Sequence, residues 1–230
     1  METSTFMQLC LDGKLYLAKF ALYMNPNIIE SYDFLFKNVC FRGQLKVAKW
    51  LYKLNPNMTD VTFKNAFLDA CYSGHLHVAK WLLLVRPDIN IWAYNDEAFR
   101  TVCIHGRLQM AQWLLQVSKE RGQEFDISFG KHYLFSHACY NCLISKYKNN
   151  SNTYLKIAQW LQQMKPHLYV IEYDENGNYK NYRIRNKEEV NWERRKYLVW
   201  LASDKCPAQN KNNLLYKLPS DVSRLLIGFV

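Results

Sequence analysis

With 230 residues, 49 % of them hydrophobic and 22 % charged, the chain can bury a sizeable core, and its charges are too evenly spread for a membrane span. A net charge of +10 keeps acidic proteins and nucleic acid open as partners. The opening Met1-Glu-Thr-Ser-Thr5 reads as no secretory leader, so the seven cysteines are expected as reduced thiols in a cytoplasmic compartment, without disulfides.

Along the chain, Cys10, Cys40, Cys71 and Cys103 follow one another at 30, 31 and 32 residues, and Cys139 continues the series. After each of the first four, a glycine stands at the third position (Gly13, Gly43, Gly74, Gly106) and a large aromatic at the tenth (Phe20, Trp50, Trp81, Trp113). Such a period is internal duplication, and a stack of one repeated unit builds an extended surface rather than a catalytic centre. Each unit reads as two helices around a tight corner. In the third copy Ala66, Phe67, Ala70 and Cys71 share one helical face, and Gly74 ends that helix in the left-handed conformation that suits glycine. The second helix runs from His75 to about Val85 with Leu76, Ala79, Leu82 and Leu83 on one stripe, then stops at Pro87. Pro26, Pro56 and Pro166 repeat that stop six residues after the aromatic. The fourth copy lacks the proline, which predicts a longer helix or loop through Lys119–Gly122. The tryptophan column is read as core.

The run Asn65-Ala-Phe-Leu-Asp-Ala-Cys-Tyr-Ser-Gly-His-Leu-His-Val-Ala-Lys-Trp-Leu-Leu-Leu84 resembles an ankyrin repeat, in which Gly-His-Leu-x-Val opens the second helix. The tryptophan and the Pro87-Asp-Ile-Asn90 segment are similar to the ankyrin arrays of amoeba-infecting giant viruses of the mimivirus type. The resemblance implies an all-α ankyrin-type solenoid of about five to six helix-turn-helix repeats with hairpin fingers. Residues 1–133 would hold about four regular repeats, and 134–230 divergent ones of the same solenoid. The family's Thr-Pro-Leu-His box is absent here, so apolar packing is expected to take over the bracing of the corners. The family is non-catalytic and binds proteins through its concave face and finger tips. Carried over position by position, the contact residues are Phe41 and Arg42, Tyr72 and Ser73, Ile104 and His105, and Tyr140, with Lys64, Tyr94 and Asp96 from the fingers. A monomer without cofactor, and without a membrane, is expected to bind a protein partner, host-directed if the viral likeness holds.

Further along, Cys139 and Trp160 stand 21 residues apart instead of 10, and the polar stretch Lys146–Thr153 predicts a loop expanded between the two helices. Tyr169–Asp174 and Tyr179–Ile184 flank Asn176-Gly177, which predicts a hairpin. Helices are predicted over 188–202 and 218–230. The last begins Leu218-Pro-Ser-Asp-Val222 and is similar to the opening of an F-box and to the shortened box of poxvirus ankyrin proteins. It would either cover the end of the stack or dock on a Skp-type adaptor of a ubiquitin ligase. Residues 134–230 carry 15 basic against 8 acidic side chains, so nucleic-acid binding is a further alternative, set against a solvated basic face.

Other constellations offer less. Cys139 and Cys142 form a Cys-x2-Cys near His137, yet there is no second pair for zinc, and Cys142 occupies the repeat's glycine position. His75 and His77 belong to the helix opening. No phosphate loop and no nucleophile with its base can be recognised, so neither an enzyme nor a metal site is expected.

Overall fold

A computed structural model describes residues 2–127, 129–144 and 151–186. The chain packs as two units, Met1–Ala158 and Gln159–Val230. Helices come in pairs: α1 (Thr3–Leu11) with α2 (Leu15–Met24), α3 (Tyr32–Phe41) with α4 (Leu45–Leu54), and α5 (Asp60–Ser73) with α6 (Leu76–Val85). Then follow α7 (Ala93–Ile104) with α8 (Leu108–Glu120), and α9 (Phe129–Ile144) with α10 (Ser151–Met164). First helices of successive pairs pack on one another, α1 on α3, α3 on α5, α5 on α7 and α7 on α9. The protein is thus a mostly helical repeat solenoid, as the period predicts.

The core is written in the same register in every copy. Phe6, Phe36, Phe67, Phe99 and Phe135 stand four residues before the five cysteines, and all are buried with them. Ala18, Ala48, Ala79, Ala111 and Ala158 hold the matching place on the second helices, each fully buried. A large ring and a small methyl group thus recur at fixed core positions in every pair. Trp50, Trp81 and Trp113, expected in this core, are only half-buried. Trp81 lies edge-on to Phe36 and Tyr52, covering the seam between repeats with part of its indole still in water.

The corners follow the glycines. Gly13, Gly43, Gly74 and Gly106 all have φ between +69° and +81°, and Gly74 caps α5 in the left-handed region. Second helices stop one residue short of each Xaa–Pro bond at an extended residue, Asn25 or Asn55, as a following proline requires. In the fourth copy, which has no proline, α8 runs on to Glu120.

In the fifth copy Cys142 replaces the glycine, and α9 continues past the usual corner to Ile144. α10 in turn begins at Ser151, about one turn early. Residues 151–153 of the predicted loop are therefore helix, 145–150 lie outside the described residues, and α9 overruns because nothing at 142 forces a left-handed stop. The hairpin fingers also differ from expectation. Connections 25–31, 55–59 and 86–92 contain turns but no paired strands. α5 starts at Asp60, with the Thr59 hydroxyl accepting from the Thr62 N–H at 3.2 Å, and so absorbs Val61, Thr62 and Lys64 into its first turns.

In the second unit, β1 (Tyr169–Tyr173) pairs antiparallel with β2 (Tyr179–Ile184), as predicted. Asp174 organises the turn, its Oδ1 accepting from the N–H groups of Asn176 and Asn178 at 2.9 and 2.8 Å, with Gly177 at φ +77°. The helices predicted over 188–202 and 218–230, the F-box-like segment, and most of the basic cluster beyond Arg185 lie outside the described residues.

Two consequences can be measured. Phe67→Ala should cost about 3–5 kcal/mol in urea denaturation, whereas Trp81→Ala, with a half-exposed ring, should cost clearly less. Equal losses would return the tryptophan column to the core. Burial also raises the thiols above their ordinary value of 9.0, with Cys10 pushed up to about 12 and Cys71 raised as well. The folded state then holds protons that the unfolded chain releases, so this stability is complete below pH 9 and falls as pH rises further. Between pH 8 and pH 10 the protein should lose about 1.4 kcal/mol more than a Cys71→Ala variant does. Parallel losses in the two proteins would show that the thiol plays no part.

Candidate protein-binding face

The carboxyl-terminal turns of the first helices lie beside one another, and side chains there cannot all enter the core. Phe41 and Tyr72 stand at the same position of neighbouring repeats, one residue after the buried cysteine. Their rings stack at 6.1 Å, and Tyr72 continues to the His105 imidazole at 4.3 Å. This row is open to solvent, with exposures of 40 % at Phe41, 45 % at Tyr72 and 59 % at Tyr140, while Tyr94, at the opposite end of α7, is 66 % exposed. Arg42 is exposed, Ile104 and Ser73 are half-buried, and the shielded Ser73 hydroxyl makes no hydrogen bond among the described residues.

Part of the expected contact set is held internally. His105 donates from Nδ1 to the Thr101 carbonyl at 2.8 Å, which fixes its ring against Tyr72. The Asp96 carboxylate accepts from the Asp126 N–H at 3.0 Å, tying one repeat connection to the next. Lys64 Nζ sits 3.6 Å above the Tyr94 ring, a cation–π contact between α5 and α7. Tyr94 and Lys64 are thus one unit.

That unit rests on an unusual backbone. Tyr94, Asn95 and Asp96 have φ of 53°, 55° and 61°, a left-handed turn made without glycine. Each such residue costs on the order of 1 kcal/mol, and the turn persists because its neighbours hold it. The Lys64–Tyr94 and Asp96–Asp126 contacts bracket it.

Electrostatics give the row a sign. Residues 34–87 carry eight lysines and arginines against two aspartates, Asp60 and Asp69. Arg86 is engaged with both Asp60 and Asp88, so the remaining bases dominate. Burial lowers the His75 pKa, and nearby His77, Arg107 and Arg42 lower it further. Arg107 reaches back to donate to the Tyr72 carbonyl at 3.4 Å, which sets a guanidinium against the aromatic row. The His137 pKa is lowered by burial and by His105, and its carbonyl accepts from the Asn141 amide at 2.9 Å.

The sequence reading missed a groove of about 310 Å³ near the amino-terminal ends of α1 and α3, lined by Thr3, Met7, Ile28, Ile29, Glu30 and Phe34 among others. Phe34 is exposed and lies two turns before Phe41 on the same helix, so i, i+7 spacing could have found it. Among the described residues no three His, Cys, Asp or Glu side chains gather as a metal site would need, and no helix is long and apolar enough to cross a membrane. Cys139 and Cys142 are both buried.

A family model of ankyrin repeats (many copies) matches residues 67–115, from the buried Phe67 of α5 to the middle of α8. This stretch is similar to ankyrin repeats. The first two pairs share its phenylalanine, cysteine, glycine and alanine positions, the fifth shares all but the glycine, and the fold is an all-α ankyrin-type solenoid. No curated protein and no solved structure matches the chain.

The left-handed turn allows a direct test. Asn95→Gly removes the Cβ that makes φ 55° costly, and Asn95 is exposed. The variant should gain about 0.5–1 kcal/mol in urea denaturation. A loss of similar size would mean that the turn is not strained.

Proposed function

We propose that the chain is a non-catalytic binding module whose Phe41–Tyr72–His105 row, flanked by Arg42 and Arg107, receives an acidic segment of a partner protein. The observation that carries this reading is the solvent-open stack of rings at 6.1 and 4.3 Å on otherwise regular repeats. Aromatic and arginine side chains dominate binding energies, and rings already stacked lose little freedom when covered. Tyr140 holds the matching position in the fifth copy, and Tyr94 with Lys64 offers a second exposed aromatic at the other end of α5 and α7. Ankyrin repeats generally serve protein–protein interaction, which agrees with the match over residues 67–115. The likeness to giant-virus arrays would make the partner a host protein. The Skp-type adaptor reading depends on residues beyond 186, and the nucleic-acid reading on the basic side chains of 134–230, most of which lie outside the described residues.

Affinity capture with the whole chain, compared with a Phe41→Ala/Tyr72→Ala variant, tests the reading. Since both rings are substantially exposed, the variant should melt within a few degrees of the native protein while losing about 2 kcal/mol of affinity for the captured protein, some 30-fold. Binding should also weaken with added salt, since an acidic segment meets a basic row. A capture unchanged by the double substitution, or one that yields only a Skp-type adaptor or nucleic acid, would refute the row as the binding site.

A further inference from the structure

The first repeat leaves open a face that every later repeat covers. Just before the buried alanine of the second helices, Val47, Val78, Met110 and Ile157 are between 0 and 2 % exposed, whereas Leu17 is 53 % exposed. The aromatic that follows three residues later is half-buried as Trp50, Trp81 and Trp113, yet Phe20 is 59 % exposed. Tyr16, Tyr23 and Met24 are exposed beside them, at 86, 82 and 65 %. On a helix of 3.6 residues per turn these five side chains form one stripe about 120° wide, centred on Phe20. No charged residue falls inside it. Lys19 borders it, and α1 adds exposed Thr3, Ser4, Thr5 and Gln8 alongside. An apolar centre with a polar margin is the anatomy of an interface.

We infer that this face joins two copies of the chain, α2 against α2 about a twofold axis near Phe20. The area decides for a second copy. Three largely exposed aromatics with a leucine and a methionine present on the order of 600 Å² per molecule, at the top of what a monomer leaves open as one patch. Doubled across a twofold axis this gives about 1,200 Å², the lower bound for a stable protein interface, before the polar margin adds to it. A twofold pairing also closes on itself. It needs no surface other than the stripe, and it sets the two helix dipoles antiparallel. Being on α2, the contact leaves the Phe41–Tyr72–His105 row unused, so the inference does not rest on the proposed function. A dimer would present that row twice, which raises avidity for a partner with two acidic segments. The sequence reading expects a monomer, and this inference departs from it.

Sedimentation velocity over about 1–100 µM chain tests this directly. The native protein should pass from monomer to dimer within that range, and no further. Phe20→Lys should weaken association at least 30-fold without lowering the melting temperature. Should that variant misfold, Tyr16→Lys, at the most exposed of the five positions, carries the same expectation. A native chain that stays monomeric at 100 µM would overturn the inference. So would a dimer indifferent to both lysines, or growth into open-ended polymers, which would mean head-to-tail stacking.

Discussion

The arrangement depends on a missing carbon atom. Each of the four regular corners turns through a glycine in the left-handed region, and the next repeat places a side chain where a Cβ would be. At Gly43 the His75 ring would lie 2.5 Å from that atom, at Gly74 the Arg107 Cδ 2.8 Å, and at Gly106 the Thr153 Cγ2 3.0 Å. At Gly13 the Gln44 amide fills the same place. The glycine therefore does two things: it reverses the chain, and it makes room for a side chain near the start of the following second helix. The repeat interval is set by this contact as much as by the core, because it aligns one corner on the next.

Polar contacts reinforce the same seat. His77 meets the Gly43 carbonyl at 3.0 Å, Arg107 donates to the Tyr72 carbonyl, and Arg121 donates to the carbonyls of Ile89 and Pro87 at 2.9 and 3.1 Å. All reach back by 32 to 35 residues, one repeat with its corner. The sequence lacks the threonine–histidine box and predicted apolar packing in its place. Beside the apolar core, Arg107 and Arg121 donate to the preceding repeat's carbonyls, and a charged donor makes a stronger bond to a carbonyl than a neutral one. This also explains why part of the basic charge lies at corners rather than in a general solvating coat.

What could be read from the chain alone were features set by local backbone chemistry. Glycine, proline and Asn-Gly impose their conformations at close range, so the corners, the helix stops and the 169–184 hairpin follow from them. Features set by neighbours in space were harder to read. The tryptophans occupy an apolar position in the pattern, but how far an indole is covered depends on the width of the seam it bridges. The left-handed turn at 94–96 has no glycine to announce it, and it is held by Lys64 and by the Asp126 amide, each about 30 residues distant in sequence. Cys142 was recognised as standing in the glycine position, and the overrun of α9 follows from that substitution. Of the candidate face, the exposed aromatics were legible from repeat register, but not the internal duties of His105, Asp96 and Lys64.

Comparing the five copies with one another separates what stacking demands from what it leaves open. Four residues before the cysteine the chain has phenylalanine five times, and every one of these rings is buried in the core. Two residues after the cysteine it has Asp12, Arg42, Ser73, His105 and Asn141, five different side chains in five copies. One position earlier stand Leu11, Phe41, Tyr72, Ile104 and Tyr140. Any side chain that does not enter the core is compatible with the stack at these places, so the stack itself does not determine which is present. Three aromatics out of five at a solvent-open position are then not a packing requirement, since Leu11 and Ile104 satisfy the fold equally well there. The rings are free to answer to something outside the molecule, and the repeat supplies the rigid spacing at which they are offered.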